Sequence, residues 1–153
     1  MANFKRDWMY KGNRPNGLTQ LINRVYAFVA SAGLFPDWMV TLEVTGRKSG
    51  KLIVLPVVIG KVGQERYLVS MLGNSAGWVQ NIRAAQGQAW IRSGRRREVR
   101  LEEVPVGQRA PIIKAYLQRA PGARPHVPIN KDAPVEAFEA IAADYPCFRI
   151  VWV

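Results

Sequence analysis

Met39-Val40-Thr41-Leu42-Glu43-Val44-Thr45-Gly46-Arg47-Lys48-Ser49-Gly50-Lys51-Leu52-Ile53-Val54-Leu55-Pro56-Val57-Val58-Ile59 decides how this chain folds, because two apolar runs flank a short cationic hinge. Runs rich in β-branched residues suit a pleated surface, and turn residues between two of them mark a hairpin. Gly46 and Gly50 admit positive φ, where a side chain would clash. Arg47, Lys48, Ser49 and Lys51 then place three cations and a hydroxyl on a turn whose amides are candidates for further donors. That set suits a phosphate or a polycarboxylate, since amide donors and fixed cations can converge on one anion. A solvated loop charged for solubility accounts for the same residues.

Outward from the hinge, strands are expected at Trp38–Thr45 and Lys51–Gly60, then at Glu65–Met71 after a turn at Lys61-Val62-Gly63-Gln64. Leu72-Gly73-Asn74-Ser75 breaks the pattern, and Asn74 or Ser75 is placed to cap a helix over Ala76–Ala85 that Gly87 ends. Strands at Gln88–Ser93 and Arg96–Val104 turn at Gly94, with Arg95-Arg96-Arg97 on the hairpin. Gly107–Arg119 reads as a helix with Ile112, Ile113, Tyr116 and Leu117 on one side. Pro121 to Pro128 is too rich in proline for regular structure. A helix over Val135–Asp144 and a strand at Phe148–Val153 complete the chain.

Upstream, Leu18, Leu21, Ile22, Val25, Val29 and Ala32 recur at helical spacing, with Gly33 as C-cap. With Arg24, Tyr26 and Phe28 on it, this helix suits either a membrane surface or the end of a barrel. Residues 1–17 read as a flexible basic segment, and 18–153 as a single domain. Six short strands with tight turns and no βαβ alternation predict an α+β fold, an antiparallel sheet able to close into a small barrel with flanking helices.

Bulk properties narrow the function. A chain of 153 residues, 48% apolar, buries a real core as one domain. The longest apolar stretch, Val25 to Pro36, is too short to span a bilayer. Met1 to Gly17 lacks the apolar centre of a signal peptide, so a cytoplasmic location is expected. One cysteine, Cys147, and one histidine, His126, exclude an internal disulfide and a Cys/His zinc site, and no metal is expected. The net charge of +11 lies in residues 1–97, with fifteen Lys/Arg against four Asp/Glu, while 98–153 balances seven against seven. Such a field draws nucleic acid, membrane phospholipid or a polyanionic small molecule.

Catalytic motifs are sparse. The hinge is no P-loop, because three residues separate its glycines and Leu52 stands where Ser/Thr is required. Neither a G-x-G-x-x-G fingerprint nor a G-x-S-x-G elbow occurs. Glu102 and Glu103 are adjacent on a strand and face opposite ways, which argues against a two-carboxylate hydrolase. Cys147 reads as a small buried hydrophobe, and His126 as a loop histidine or a proton donor. Arg95-Arg96-Arg97 lacks interleaved aromatics, so no nucleic-acid partner is expected. A chain so equipped must borrow its chemistry from a cofactor or only bind. Ser70-Met71-Leu72-Gly73 offers backbone groups to a flat heterocycle, and Trp78 stands at a helix start whose dipole favours anions.

Thr45-Gly46-Arg47-Lys48-Ser49-Gly50-Lys51, Pro56, Ser70-Met71-Leu72-Gly73 and Trp78-Val79-Gln80-Asn81-Ile82-Arg83-Ala84 together resemble the deazaflavin-dependent nitroreductase family, over about Leu42 to Val104 and more loosely to Val153. The resemblance implies a split β-barrel of the FMN-binding type and coenzyme F420, with FMN or no cofactor as alternatives. It further implies that Arg47, Lys48, Ser49 and Lys51 hold the phosphate end. Ile53, Val54, Leu55, Pro56, Val57 and Val58 would lie along the cofactor. Val69, Ser70, Met71 and Leu72 would meet the ring, and Gly77, Trp78, Val79, Gln80 and Asn81 would close over it. No side chain is expected to be catalytic: the cofactor carries a hydride to a small hydrophobic acceptor such as a quinone, an enone or a nitroaromatic. His126 and Tyr116 are candidates for the substrate pocket. Ile53 and Leu72 stand where relatives often carry arginine and lysine, and Ala120 and Ala123 where better-known nitroreductases place tyrosines. A homodimer is the family expectation. The competing reading is a non-catalytic split barrel that binds lipid or fatty acid at the inner face of the membrane through its N-terminal helix.

Overall fold

The computed structural model describes residues 38–153 and, upstream, strands β1 (Tyr10–Lys11) and β2 (Arg14–Pro15), which pair antiparallel. The rest of the basic segment expected over 1–17, and the amphipathic helix expected from Leu18 to Ala32, lie outside the described residues.

Among the described residues, β3 (Met39–Thr45), β4 (Leu52–Val58), β5 (Gly60–Val62), β6 (Glu65–Val69), β7 (Gln88–Ser93), β8 (Arg95–Glu103) and β9 (Cys147–Trp152) form one antiparallel sheet. Its order is β4-β3-β7-β8-β9-β6-β5. The two outermost strands are consecutive in the chain, with Ile59 alone between them. Residues 52–62 therefore pair with β3 along their first part and with β6 along their last, and the sheet curls back on itself. The Ile59 N–H donates to Trp38 O at 2.7 Å, which carries the β3 ladder up to the bend. Taken as continuous segments, these are the six strands expected, arranged as a split barrel.

Register follows the apolar pattern. β3 and β4 pair without a break from Met39–Val58 to Thr45–Leu52, so Val40, Leu42 and Val44 share a face with Val57, Leu55 and Ile53. A slip of one residue would take Leu55 and Val57 off the core face they share with the buried Val40 and Leu42. Inside the curl, Leu42, Val44, Ala89 and Val99 are wholly buried, closed over by Val79 and Ile82 of helix α1 (Gly77–Ala84). A second cluster gathers Val69 and Cys147 with helix α2 (Ala110–Arg119) and Phe138 of helix α3 (Val135–Glu139).

Four local expectations are corrected. Lys61 and Val62 are not turn but strand, paired with Arg66 and Glu65, because the curled sheet offers them a partner. Neither Asn74 nor Ser75 caps α1. Ala76 occupies that position with no side-chain bond, and Asn74 instead accepts from Gln80 through its main-chain oxygen and from Arg83 through Oδ1. Pro121–His126 forms a 3-10 helix, with Pro121 at a first-turn position where a missing N–H costs nothing. The helix expected over Val135–Asp144 breaks after Glu139 into a separate 3-10 turn, Ala142–Asp144, whose Ala142 carbonyl is taken by the buried Arg109 guanidinium at 3.2 Å.

Candidate cofactor site

The hinge between β3 and β4 is a closed loop. The Gly46 N–H donates to Lys51 O at 2.8 Å, and the Gly50 N–H to Gly46 O at 2.9 Å. Gly50 has φ of 72°, a left-handed conformation that glycine adopts without steric cost. The Ser49 hydroxyl oxygen accepts from the Lys51 main-chain N–H at 3.2 Å. Lys48 and Lys51 are exposed, and their ammonium groups make no ion pair among the described residues. Two positive charges thus stand without a counter-charge among the described residues, on a loop closed by its own hydrogen bonds.

Arg47 behaves differently from the two lysines. Its main-chain N–H donates to Asn81 Oδ1 at 3.1 Å, and its Nη1 donates to the same oxygen at 2.8 Å. A longer contact, 3.5 Å, joins Nη1 to Gly77 O. The hinge and α1, thirty-four residues apart, are thereby joined at the loop's first charged residue. Asn81 is buried. Trp78 is half-buried against the barrel core, its ring tilted at 57° to that of Phe148 with centroids 5.6 Å apart. Gln80 Nε2 donates to Asn74 O at 2.7 Å, and the Val79 side chain points wholly into the core.

β4 leads away from the hinge as an apolar strip. Leu52, Ile53 and Val54 are 49%, 42% and 47% exposed, unusual values for such side chains. Leu55, Pro56, Val57 and Val58 are half-buried. Leu55, Val57 and Leu72 pack on the barrel core, whereas Val58, Val69 and Met71 pack on the outer cluster that contains Tyr116. Ser70 is buried and donates from its hydroxyl to Gly73 O at 2.7 Å, while its N–H reaches Pro146 O at 2.9 Å. The segment after β6 is therefore held at both ends. Tyr116 is buried, and burial pushes its phenol up to about 12. His126 is exposed, and its main-chain oxygen accepts from the Tyr145 hydroxyl at 2.8 Å.

The two adjacent carboxylates, Glu102 and Glu103, are held in ion pairs with arginines. Glu102 takes Arg149 and Arg100, and Glu103 takes Arg83 and Arg109. Hydrogen bonds from Arg149 and from Arg83 hold the respective carboxyls below the usual range, the reverse of what a general acid needs. A cavity of about 230 Å³ between β8, β9 and the start of α2 includes both, but none of the residues expected to bind the cofactor. Among the described residues no group of His, Cys, Asp and Glu could hold a metal ion.

Some contacts had no local signal. Arg96 lies over the Trp90 ring at 4.5 Å and Arg97 over the Trp152 ring at 4.4 Å, so the arginine triplet does have aromatic partners, supplied by β7 and β9. Glu43, 6% exposed, is bound by Arg92 at 3.1 Å and Arg96 at 3.0 Å. The role of Asn81 was equally hidden, since its partner lies in another element.

Residues 27–124 match the model of a family described as F420H(2)-dependent quinone reductase. In fold, the chain is similar to a domain-swapped dimer with a TM-score of 0.54 at 16% identity, over 87% of this chain and 96% of that one. It is similar to Atu2129 of Agrobacterium tumefaciens, a protein of unknown function, with a TM-score of 0.52 at 12% identity, over 81% of this chain and 52% of that one. A candidate 5-nitroimidazole antibiotic resistance protein from Bacteroides thetaiotaomicron gives a TM-score of 0.51 at 10% identity, over 75% and 72%. The chain thus spans about half the length of Atu2129 and most of the other two. No curated protein matches the sequence.

Proposed function

The chain belongs to the F420H2-dependent quinone reductase family, whose cofactor is coenzyme F420, and from that premise we propose that it reduces a small, hydrophobic, electron-poor acceptor: a quinone, an enone or a nitroaromatic. One observation carries the reading. Two ammonium groups without ion-pair partners among the described residues, those of Lys48 and Lys51, stand on a pre-closed loop beside a half-exposed apolar strand. The donor set fits a ligand with an anionic end and a flat, weakly polar body.

In this reading Lys48, Lys51 and the Ser49 hydroxyl hold the phosphate and carboxylate end, with Arg47 beside them, while the amides of Gly46, Arg47, Gly50 and Lys51 are spent on closing the loop. Ile53 to Val58 run along the body, Val69 to Leu72 meet the ring, and Gly77 to Asn81 close over it. Ile53 and Leu72 bring apolar contact and no charge, so the lysines carry the electrostatic share. When bound, the reduced deazaflavin supplies a hydride. The protein orients acceptor and cofactor and excludes water, and no side chain is required to be nucleophile or base. Tyr116 and His126 are proposed walls of the acceptor pocket. We place the protein in the cytoplasm, as a homodimer, without nucleic acid as a partner. No helix of the described residues is long and apolar enough to cross a membrane.

The test is a titration of F420 with purified protein, followed by cofactor fluorescence at low and moderate salt. Saturable binding that weakens with salt and with Lys48→Ala supports the reading. Absence of binding at any salt defeats it. A second reading draws on the exposed Leu52, Ile53 and Val54 beside the same cations, a surface suited to anionic lipid. Salt-sensitive sedimentation with anionic vesicles, without F420 binding, would favour it.

A further inference from the structure

We propose that Asn81 is a positioning residue that shapes the anion site of the hinge before any ligand arrives, and that Arg47 acts as its partner in the loop instead of contacting the anion. This inference rests on the cofactor reading above. A single carboxamide oxygen, on a residue 4% exposed, accepts both the main-chain N–H and the guanidinium of Arg47, at 3.1 and 2.8 Å. Asparagine is a poor choice inside a helix, because its side chain competes for backbone bonds. At this place in α1 its oxygen serves a different segment altogether.

The consequences for the loop are specific. Its entry is fixed by Asn81 at Arg47, its neck by the Gly46–Lys51 bond, and its far side by the Gly50–Gly46 bond. Nη1 of Arg47 is held by α1, whereas the ammonium groups of Lys48 and Lys51 have no ion-pair partner among the described residues and are the cations proposed to face an incoming anion. A loop ordered at folding does not pay that ordering again on binding, which is how pre-organisation raises affinity. The same contact ties the phosphate end of the site to the helix proposed to cover the ring. Substitution at 81 thus changes both together.

The experiment uses the full chain and the variants Arg47→Ala, Asn81→Ala, the double variant and Asn81→Asp. Amide exchange at Arg47, measured without cofactor, reads the hinge directly. Asn81→Ala is expected to speed it about tenfold, with Leu42 and Val44 amides unchanged. Asn81→Asp keeps an acceptor oxygen and is expected to restore protection. Unchanged exchange in Asn81→Ala would overturn the proposal whether or not F420 binds. In F420 titrations the two alanine variants and their combination should weaken binding by a similar factor, about fivefold to tenfold, because they break one shared bond. Losses that multiply in the double variant, with Arg47→Ala the larger, would mean that Arg47 touches the anion itself. Should Asn81→Ala fail to fold, Arg47→Ala and Asn81→Asp carry the same comparison from either side of the bond. Failure of the wild-type protein to bind F420 would remove the cofactor reading and leave the exchange result standing.

Discussion

Replacing Glu103 by glutamine tests how the far end of α1 is held. The Glu103 carboxylate accepts from Arg83 Nε at 3.0 Å and Nη2 at 2.7 Å, and from Arg109 Nη2 at 3.2 Å. Arg83 lies on α1, and Arg109 sits just before α2, where it also donates to Val104 O at 2.8 Å and Ala142 O at 3.2 Å. The Arg83 pair is about a third exposed on both sides, so water screens it and it contributes at most about 1 kcal/mol. The Arg109 side chain is 6% exposed, and a hydrogen bond between charged groups there is worth about 1.5 kcal/mol after its other two bonds persist. Glu103→Gln should therefore cost about 2 kcal/mol at pH 7, roughly 6 °C in Tm for a domain of this size. Urea unfolding with an unchanged slope gives the difference.

The pH dependence makes this prediction specific. The Arg83 hydrogen bond holds the Glu103 carboxyl below its ordinary value in the folded protein, against burial. Its stabilisation is therefore fully present above the unfolded carboxyl pKa of about 4.3, and is lost as pH falls through the lower folded value. The gap between wild type and Glu103→Gln should be constant from pH 7 to about 5 and close below 4. A gap under about 0.5 kcal/mol at pH 7, or one that persists undiminished in acid, would refute the reasoning, since surface changes of no consequence reach that size.

Lys48→Ala should weaken F420 binding by about 1.5–3 kcal/mol, the worth of a charge-assisted contact, and flatten its salt dependence; a fluorescence titration with unchanged affinity would remove the hinge from the site. Gly87→Ala should destabilise by more than about 1 kcal/mol, because φ is 87° and a Cβ would stand 2.5 Å from Leu101 O. Denaturant midpoints decide that case. Cys147 is wholly buried, and burial pushes its thiol up to about 12, so a thiol reagent at pH 8 should label it only as fast as the protein unfolds. Labelling at the rate of a free thiol would contradict its place in the core.

Local pattern was enough for the strands and for the hinge. β-branched runs, glycine-bounded turns and alternation are properties of neighbours in the chain, and they placed β3, β4 and β6 to β9 to within a few residues. The split of residues 52–62 between two partners was not legible, because Lys61 and Val62 look like turn until β6 supplies a ladder. The same limit applied to polar side chains. Asn74 looked like a cap, yet Gln80 and Arg83 use it; the arginine triplet looked bare, yet tryptophans from two other strands lie beneath it.

The chain's sequence by itself determined an antiparallel barrel-forming sheet, a cationic hinge and a family resemblance, since each depends on spacing along the chain. Tertiary structure decided which cations are spent and which remain. Arg47 is bound to Asn81, Glu43 is taken by Arg92 and Arg96, and Lys48 and Lys51 are left without ion pairs among the described residues. Charge pairing depends on distances of about 3 Å between residues that folding alone brings together, so composition can count the charges and only the fold can say where they act.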